Sequence, residues 1–249
     1  MALKCFATGG DTEFLNRDGA GAIDTMANYT RMMWFVIDTD RNDFSDLFFS
    51  HASGSASNHD YDEIYLDSNG TTLAISSDNG TTFDAQTGTN LSVGDWYHIA
   101  IVRTGITTLT AYLNGVLNIT STLDMTGRPS TDQNAIMAGY PGFSANAVAG
   151  RCMGYKDWTV VLTADEIEIE RKSLTPVKTA NLWSYLPMIG KNAADCAKDY
   201  SGNGRDYTTN GALITVDGEL PPLLAKPRHD WSEFPMEKLA EPWQLQKRM

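Results

Sequence analysis

Apolar and polar positions alternate in three successive runs between Leu91 and Thr120. Trp96, His98, Ala100 and Val102 alternate with Tyr97, Ile99, Ile101 and Arg103. Both sets are largely apolar, which predicts a strand covered on both faces. After Gly105, residues 107–113 alternate again, with Leu109, Ala111 and Leu113 on one side and Thr108, Thr110 and Tyr112 on the other. Asn114-Gly115 then supplies the pair best suited to a two-residue type I′ turn, in which both positions need positive φ. Residues 116–119 return as the partner strand, completing a predicted β-hairpin.

The remaining pattern is of the same kind. Residues 1–28 are Gly-rich and polar, and residues 29–37 carry the aromatic and β-branched density of a buried strand. Leu47-Phe48-Phe49 predicts a second strand, and residues 50–60 a polar loop. Ile64-Tyr65-Leu66 and Leu73-Ala74-Ile75 flank Asn69-Gly70 as a further hairpin, and Asn79-Gly80 marks the next reversal. Residues 135–139 predict a strand, residues 140–149 a loop, and residues 182–188 a strand that Pro187 confines to an edge or an end. The one helical segment is 165–172, where Thr163 and Glu166 form a capping-box pattern. Turn signals recur about every 8–12 residues, the spacing of a β-sandwich.

Several of these stretches together resemble the laminin-G-like domains of the concanavalin A-like jelly-roll superfamily. The words VGDWYHIAIVR and YLNGVL are similar to that family's signature hairpin, and YTRMMWFVID to its early core strand. Asp157-Trp158-Thr159-Val160, followed by Leu162-Thr163-Ala164-Asp165-Glu166-Ile167, resembles its late strand and short helical turn. The Asp-x-Ser-Gly-Asn-Gly run at 199–204 is also familiar, although here it follows the hairpin instead of preceding it. The resemblance covers roughly residues 20–220 and implies an all-β, concanavalin A-like jelly-roll sandwich with one short helix. It specifies a fold far better than a function.

Composition narrows the function classes. A chain of 249 residues is long enough for one large sandwich, and 21 glycines supply its turns. No stretch approaches ~20 apolar residues, so no membrane span is expected. The first residues lack the apolar segment of a secretory signal, from which synthesis in a cytosol is expected. A net charge of −12 argues against nucleic-acid binding, which needs clustered Lys and Arg. Cys5, Cys152 and Cys196 are odd in number and widely spaced, suiting buried thiols and neither a disulfide framework nor a zinc site.

The last 29 residues differ from the rest. Residues 221–249 hold five of the nine prolines and two of the six tryptophans, with little periodicity. A segment of that kind cannot build its own core. Residues 1–220 therefore read as the sandwich and 221–249 as an extended arm. Trp231, Phe234 and Trp243 would be costly apolar exposures on a free tail, which makes them candidate contacts to a protein partner.

Candidate chemistry is sparse. Glu166, Glu168 and Glu170 resemble the acidic strand of family-16-type glycanases, where alternate carboxyls project from one face. The run departs from that pattern by carrying Glu in the middle where the glycanases have Asp, and by lying where the laminin-G-like pattern has a helix. On a helix, Glu166 and Glu170 would share a solvated face, so no catalytic residues are assigned. His51, His59 and residues 60–63 form an acidic and imidazole-bearing stretch beside the polar loop. The resemblance implies one Ca²⁺ at the sandwich rim through aspartates, with Asp62, Asp67 and Asp95 as candidates. His98, inside the central strand, reads as a core or edge histidine. Aromatic residues on loops above a rigid sandwich suit sugar stacking, and His59, Tyr61, Tyr140 and Phe143 are the candidate ligand contacts. Five Asn-x-Ser/Thr triplets read as turn and strand chemistry.

The expectation is a non-enzymatic structural or recognition protein: a virion-surface component, such as a phage capsid decoration or tail-associated protein made in host cytoplasm. Its arm would bind protein subunits of a larger assembly, and its rim would face outward towards glycans. The alternatives are a bacterial carbohydrate-binding module or lectin whose leader was removed, which would be extracellular, and a glycoside hydrolase of the same fold.

Overall fold

A computed structural model of the chain describes residues 2–5, 14–18, 28–40, 43–51, 61–78, 82–124, 133–137, 147–211, 214–216, 220, 221 and 224. In chain order the strands are β1 (Ala2–Cys5), β2 (Phe14–Asp18), β3 (Asn28–Ile37), β4 (Ser45–His51), β5 (Tyr61–Leu66), β6 (Thr72–Asp78), β7 (Phe83–Asn90), β8 (Trp96–Thr104), β9 (Thr108–Leu113), β10 (Val116–Ser121), β11 (Gln133–Ile136) and β12 (Gly150–Trp158). Helix α1 (Ala164–Arg171), β13 (Leu182–Leu186), α2 (Ala193–Cys196), β14 (Thr208–Asn210) and β15 (Ile214–Val216) complete the order. Two antiparallel sheets result. The first runs β10-β9-β8-β3-β12-β1-β15, with β13 on the second half of β12, and the other runs β14-β2-β11-β4-β5-β6-β7.

The predicted hairpin is β9–β10, with Asn114 at φ 52 and Gly115 at φ 85, both in the left-handed region that the type I′ turn demands. A Cβ on Gly115 would also collide with Glu168 Oε2, so the hairpin tip sits against α1. Further along β10, Asn118 clasps the two sheets. Its Nδ2 donates to Thr89 Oγ1 at 2.7 Å, and its Oδ1 accepts from Thr89 N at 3.3 Å. Of the predicted strand at 135–139, Ala135 and Ile136 lie in β11, Met137 takes φ 66 while its N still donates to Leu47 O, and residues 138 and 139 lie outside the described residues. Strand β13 ends at Leu186 and pairs on one side only, as Pro187 requires.

The Asp-x-Ser-Gly-Asn-Gly run closes that open side of β13. Asp199 Oδ1 accepts from Tyr185 N and Ser201 N, both at 2.9 Å, taking the place of a neighbouring strand. Asn203 Nδ2 donates to Leu182 O at 2.9 Å and to Trp183 O at 3.0 Å. Gly202 and Gly204, at φ 88 and 67, allow this tight path. Leu220 packs on the main core and Leu224 enters it.

Strands β3, β8 and β12 are buried on both faces. Their inner faces meet the second sheet through Met33, Phe35, Ile99, Ile101, Phe48, Ile64 and Ile75. Their outer faces form a second core, in which Met32, Ala100, Val102 and Trp158 pack under Leu162 and Ile167. Each such large apolar side chain contributes on the order of 1.5–3 kcal/mol.

Helix α1 begins as predicted. Thr163 Oγ1 accepts from Glu166 N, and Thr163 N donates to Glu166 Oε2 at 2.9 Å. Its faces are not as predicted. Glu170 is buried, whereas Ile169 is 52% exposed. The cause is Lys156 on β12, whose side chain is 2% exposed and whose ammonium donates to Glu170 Oε2 at 2.8 Å, Glu170 O at 2.9 Å and Ser173 O at 2.7 Å. Glu170 Oε1 in turn accepts from Val177 N and Lys178 N. Burial lowers the Lys156 pKa, and Glu170 opposes that shift.

His98 lies on the same outer face, its ring meeting Trp34 edge-on at 5.2 Å between centroids. Its Nδ1 and Trp34 Nε1 are buried without a hydrogen-bond partner among the described residues. Burial, and then the positive charges of Lys156 and Arg171, push the imidazole well below its ordinary pKa of 6.5, against a smaller opposing effect of Glu168. The histidine is thus neutral in the folded chain, a core residue as the sequence suggested.

Two predictions follow from this outer core. Glu170→Ala leaves the Lys156 ammonium buried and unpaired and is expected to lower unfolding free energy in urea by about 3–5 kcal/mol. Adding Lys156→Met should restore part of that loss, whereas an exposed pair would show neither effect. For His98, the unfolded chain takes up a proton near pH 6.5 that the native state resists. Its contribution to stability is therefore complete above that pH and is lost as pH falls below it towards the native value. The slope reaches at most about 1.4 kcal/mol per pH unit. The difference in stability between wild type and His98→Phe, followed from pH 7.5 to 5, should show this slope.

Candidate functional site

The inner faces of the sheets are apolar along most of their length and polar at one end. Tyr29 and Arg31 near the start of β3, Arg103 near the end of β8 and Asp157 near the end of β12 come from the first sheet. Asp62 on β5, Ser77 on β6 and Asn134 on β11 meet them from the second, and each of these residues is buried. Arg31, Arg103 and Asp157 interrupt otherwise apolar strands, so each must find its partner inside the protein.

Asp62 is the hub of one half. Its Oδ2 accepts from Tyr29 OH at 2.7 Å and Arg103 Nε at 3.2 Å, and its Oδ1 from Ser77 Oγ at 2.7 Å and Arg103 Nη2. Burial works against the Arg103 charge, but Asp62 and Tyr29 outweigh it and raise the guanidinium's pKa. In the other half, Arg31 Nε pairs with Asp157 Oδ1 at 3.1 Å, Arg31 Nη2 donates to Asn134 Oδ1 at 3.0 Å, and Tyr155 OH donates to Asp157 Oδ2 at 2.7 Å. Arg31 also lies 4.9 Å over the Tyr29 ring, which joins the halves. Burial and the Asp157 charge push the Tyr155 pKa well up, so the phenol keeps its donated proton.

This network separates the residues that the family resemblance had grouped for Ca²⁺. Asp62 is spent on Arg103, Tyr29 and Ser77. Asp67 lies past the far end of β5, roughly 17 Å along the strand, and its Oδ1 accepts from Ser68 N at 2.7 Å. Asp95 is exposed just before β8. Among the described residues no group of three or more His, Cys, Asp or Glu side chains is placed to hold a metal ion. Tyr61 opens β5 opposite His51 at the polar end. His59, Tyr140, Phe143, Trp231, Phe234 and Trp243 lie outside the described residues.

The three glutamates of the acidic run are all committed to ion pairs. Glu168 pairs with Arg171 at 2.7 Å and Lys172 at 2.8 Å, and these bonds hold its pKa down to about 2. Lys178, and then the Thr163 cap, lower the pKa of Glu166. Glu170 is the buried partner of Lys156.

A family profile described as the concanavalin A-like lectin/glucanases superfamily matches residues 9–168. No curated protein matches the chain. Among solved structures, a Bacteroides ovatus protein described as carbohydrate-binding is 16% identical with a TM-score of 0.61; the alignment covers 87% of this chain and 60% of that one, so the chain spans less than two thirds of its length. The native heptameric SAP-like pentraxin of Limulus polyphemus is 13% identical with a TM-score of 0.55, over 86% of this chain and 92% of that one. The CBM40 of Ruminococcus gnavus IT-sialidase, in a structure bound to α2,3-sialyllactose, is 12% identical with a TM-score of 0.50, over 63% and 92% of the two chains. At such identities the likeness is one of fold. With the profile covering more than half of the sequence and the two antiparallel sheets in place, the chain belongs to the concanavalin A-like lectin/glucanase superfamily.

Proposed function

We propose that the protein is a non-enzymatic recognition module that binds carbohydrate. The observation that carries the reading is the state of the acidic run. A retaining glycosidase needs one carboxyl whose pKa is raised, beside a second about 5–5.5 Å away. Glu166 and Glu168 are both held low by cations, and Glu170 is locked to Lys156. The one sequence that resembled a glycanase strand thus serves to fasten a helix. The Ruminococcus gnavus module bound to α2,3-sialyllactose and the Bacteroides ovatus protein described as carbohydrate-binding share this fold, which supports sugar as the ligand class.

The assembly side of the proposal rests on the C-terminal segment. Leu224 is anchored in the core, and the residues beyond it carry the Pro-rich, Trp-bearing composition suited to a protein partner. A virion-surface component, with its arm on the particle, is the setting this arrangement serves best.

On an oligosaccharide array the protein is expected to bind without releasing reducing ends, and to bind equally in EDTA. Sugar release that disappears in Glu166→Gln would overturn the non-enzymatic reading. Light scattering should show the full chain associating with itself or with capsid subunits, and a chain ending at Leu224 remaining a folded monomer. If both chains behave alike, the arm has no assembly role.

A further inference from the structure

Two arginines at one end of the sandwich keep guanidinium donors that no described residue accepts from. Leu15 of β2 faces the main core, and the two-residue period of a strand turns Arg17 to the same side. There Arg17 lies opposite Asn134, whose side chain is already bonded to Arg31. Arg17 is half-buried, and among the described residues its side chain makes no hydrogen bond or ion pair.

Arg205 approaches from the turn that closes β13, three residues before Thr208 of β14, which pairs with Asn16 beside Arg17 on β2. Its backbone N donates to Asp199 Oδ2 at 2.8 Å, its guanidinium carbon stands 3.5 Å over the Trp183 ring, and its Nη1 donates to Trp183 O at 2.8 Å. Its Nε and Nη2 have no partner among the described residues. Burial lowers the Arg205 pKa first and the charge of Arg17 next, while Asp199 and Asp157 oppose both, so the two guanidiniums share one field. The acids nearby are engaged. Asp157 holds Arg31 and Tyr155, Asp199 is bonded to Ser201 and to the backbone, and Asp206 accepts from Asp199 N.

We infer that Arg17 and Arg205 form a subsite for the carboxylate of an acidic sugar. The planar guanidinium fork matches a carboxylate through two parallel N–H···O bonds. Stacking on Trp183 and the bond to its carbonyl already fix Arg205, so little freedom is lost on binding. An anion between the two arginines relieves their mutual repulsion, which gives the site a preference for charge that a neutral sugar does not satisfy. This inference rests on the carbohydrate-binding reading and names the class of glycan.

The test is calorimetric titration of the full chain with oligogalacturonate, oligoglucuronate and sialyllactose, each beside its methyl ester, and with a sulfated galacto-oligosaccharide. At least one carboxylated sugar should bind, with its ester at least tenfold weaker. Arg17→Gln, which breaks no hydrogen bond or ion pair among the described residues, should weaken binding about tenfold to a hundredfold without moving the melting temperature. Arg205→Lys, which keeps the charge and loses the fork, should weaken it as well. If acid and ester bind alike, or both variants bind as wild type does, the subsite is wrong while the carbohydrate-binding reading survives. A sulfated sugar that binds as tightly as the carboxylated one overturns the assignment to a carboxylate. If no sugar on the panel or the wider array binds, the carbohydrate-binding reading itself falls.

Discussion

Arg31 and Arg103 are buried between two β-sheets, and each is tolerable there only because carboxylate and amide groups meet it. Moving a charge out of water costs several kcal/mol even after relaxation, so these guanidiniums add little net stability. Their effect is on geometry. Arg103 of β8 can find Asp62 of β5, and Arg31 of β3 can reach Asn134 of β11, in one mutual placement of the sheets. A slip of one residue in either sheet would turn a charged side chain into apolar surroundings or strand its partner. Apolar packing alone tolerates such slips far better, since it is not directional. The polar end therefore sets the register that the rest of the sandwich follows.

The outer core repeats the same arrangement on a smaller scale. Lys156 emerges on the opposite face of β12 from Asp157, and it draws Glu170 and the carbonyls of Ser173 and Thr175 down onto the sheet. Helix α1 has only eight residues, too few to hold its shape in water alone. The capping box at one end, the Lys156–Glu170 pair at the other and Ile167 between them keep it in place. The β9–β10 tip rests against its Glu168, so the best-defined local turn and the most dependent helix support one another.

What was legible in the sequence was local. Asn114-Gly115 fixes its turn by the φ it permits, residues 29–37 announce a buried strand by their apolar density, and Thr163 with Glu166 announces a helix start three residues apart. What was not legible depends on partners far along the chain. Glu170 lies four residues from Glu166 and looks equally solvated, yet Lys156 takes it inward and leaves Ile169 outside. Asp62 looked like a rim aspartate because Arg103 is 41 residues away. A charged residue inside an apolar strand does signal a buried partner, but choosing that partner needs the sheet topology. Of the residues proposed to hold a ligand or a partner, most lie outside the described residues, and Tyr61 is placed by its backbone alone.

A negative protein that takes an acidic ligand must do so against its own average field. At physiological ionic strength charges more than about 8 Å apart are largely screened, so most of the net −12 is not felt at any one point of the surface. Within that distance the local balance decides: Arg17, Arg31 and Arg205 are set against Asp199, whose oxygens accept from Ser201 and backbone N–H groups, and against the Asp157 carboxylate. Only Arg31 is spent on the carboxylate. The overall charge then opposes the approach of an acidic ligand chiefly in dilute salt, while the bound state depends on the arginines alone. Net charge is in this respect a statement about encounter and solubility, and the residues at one end of one strand and one turn determine what is held.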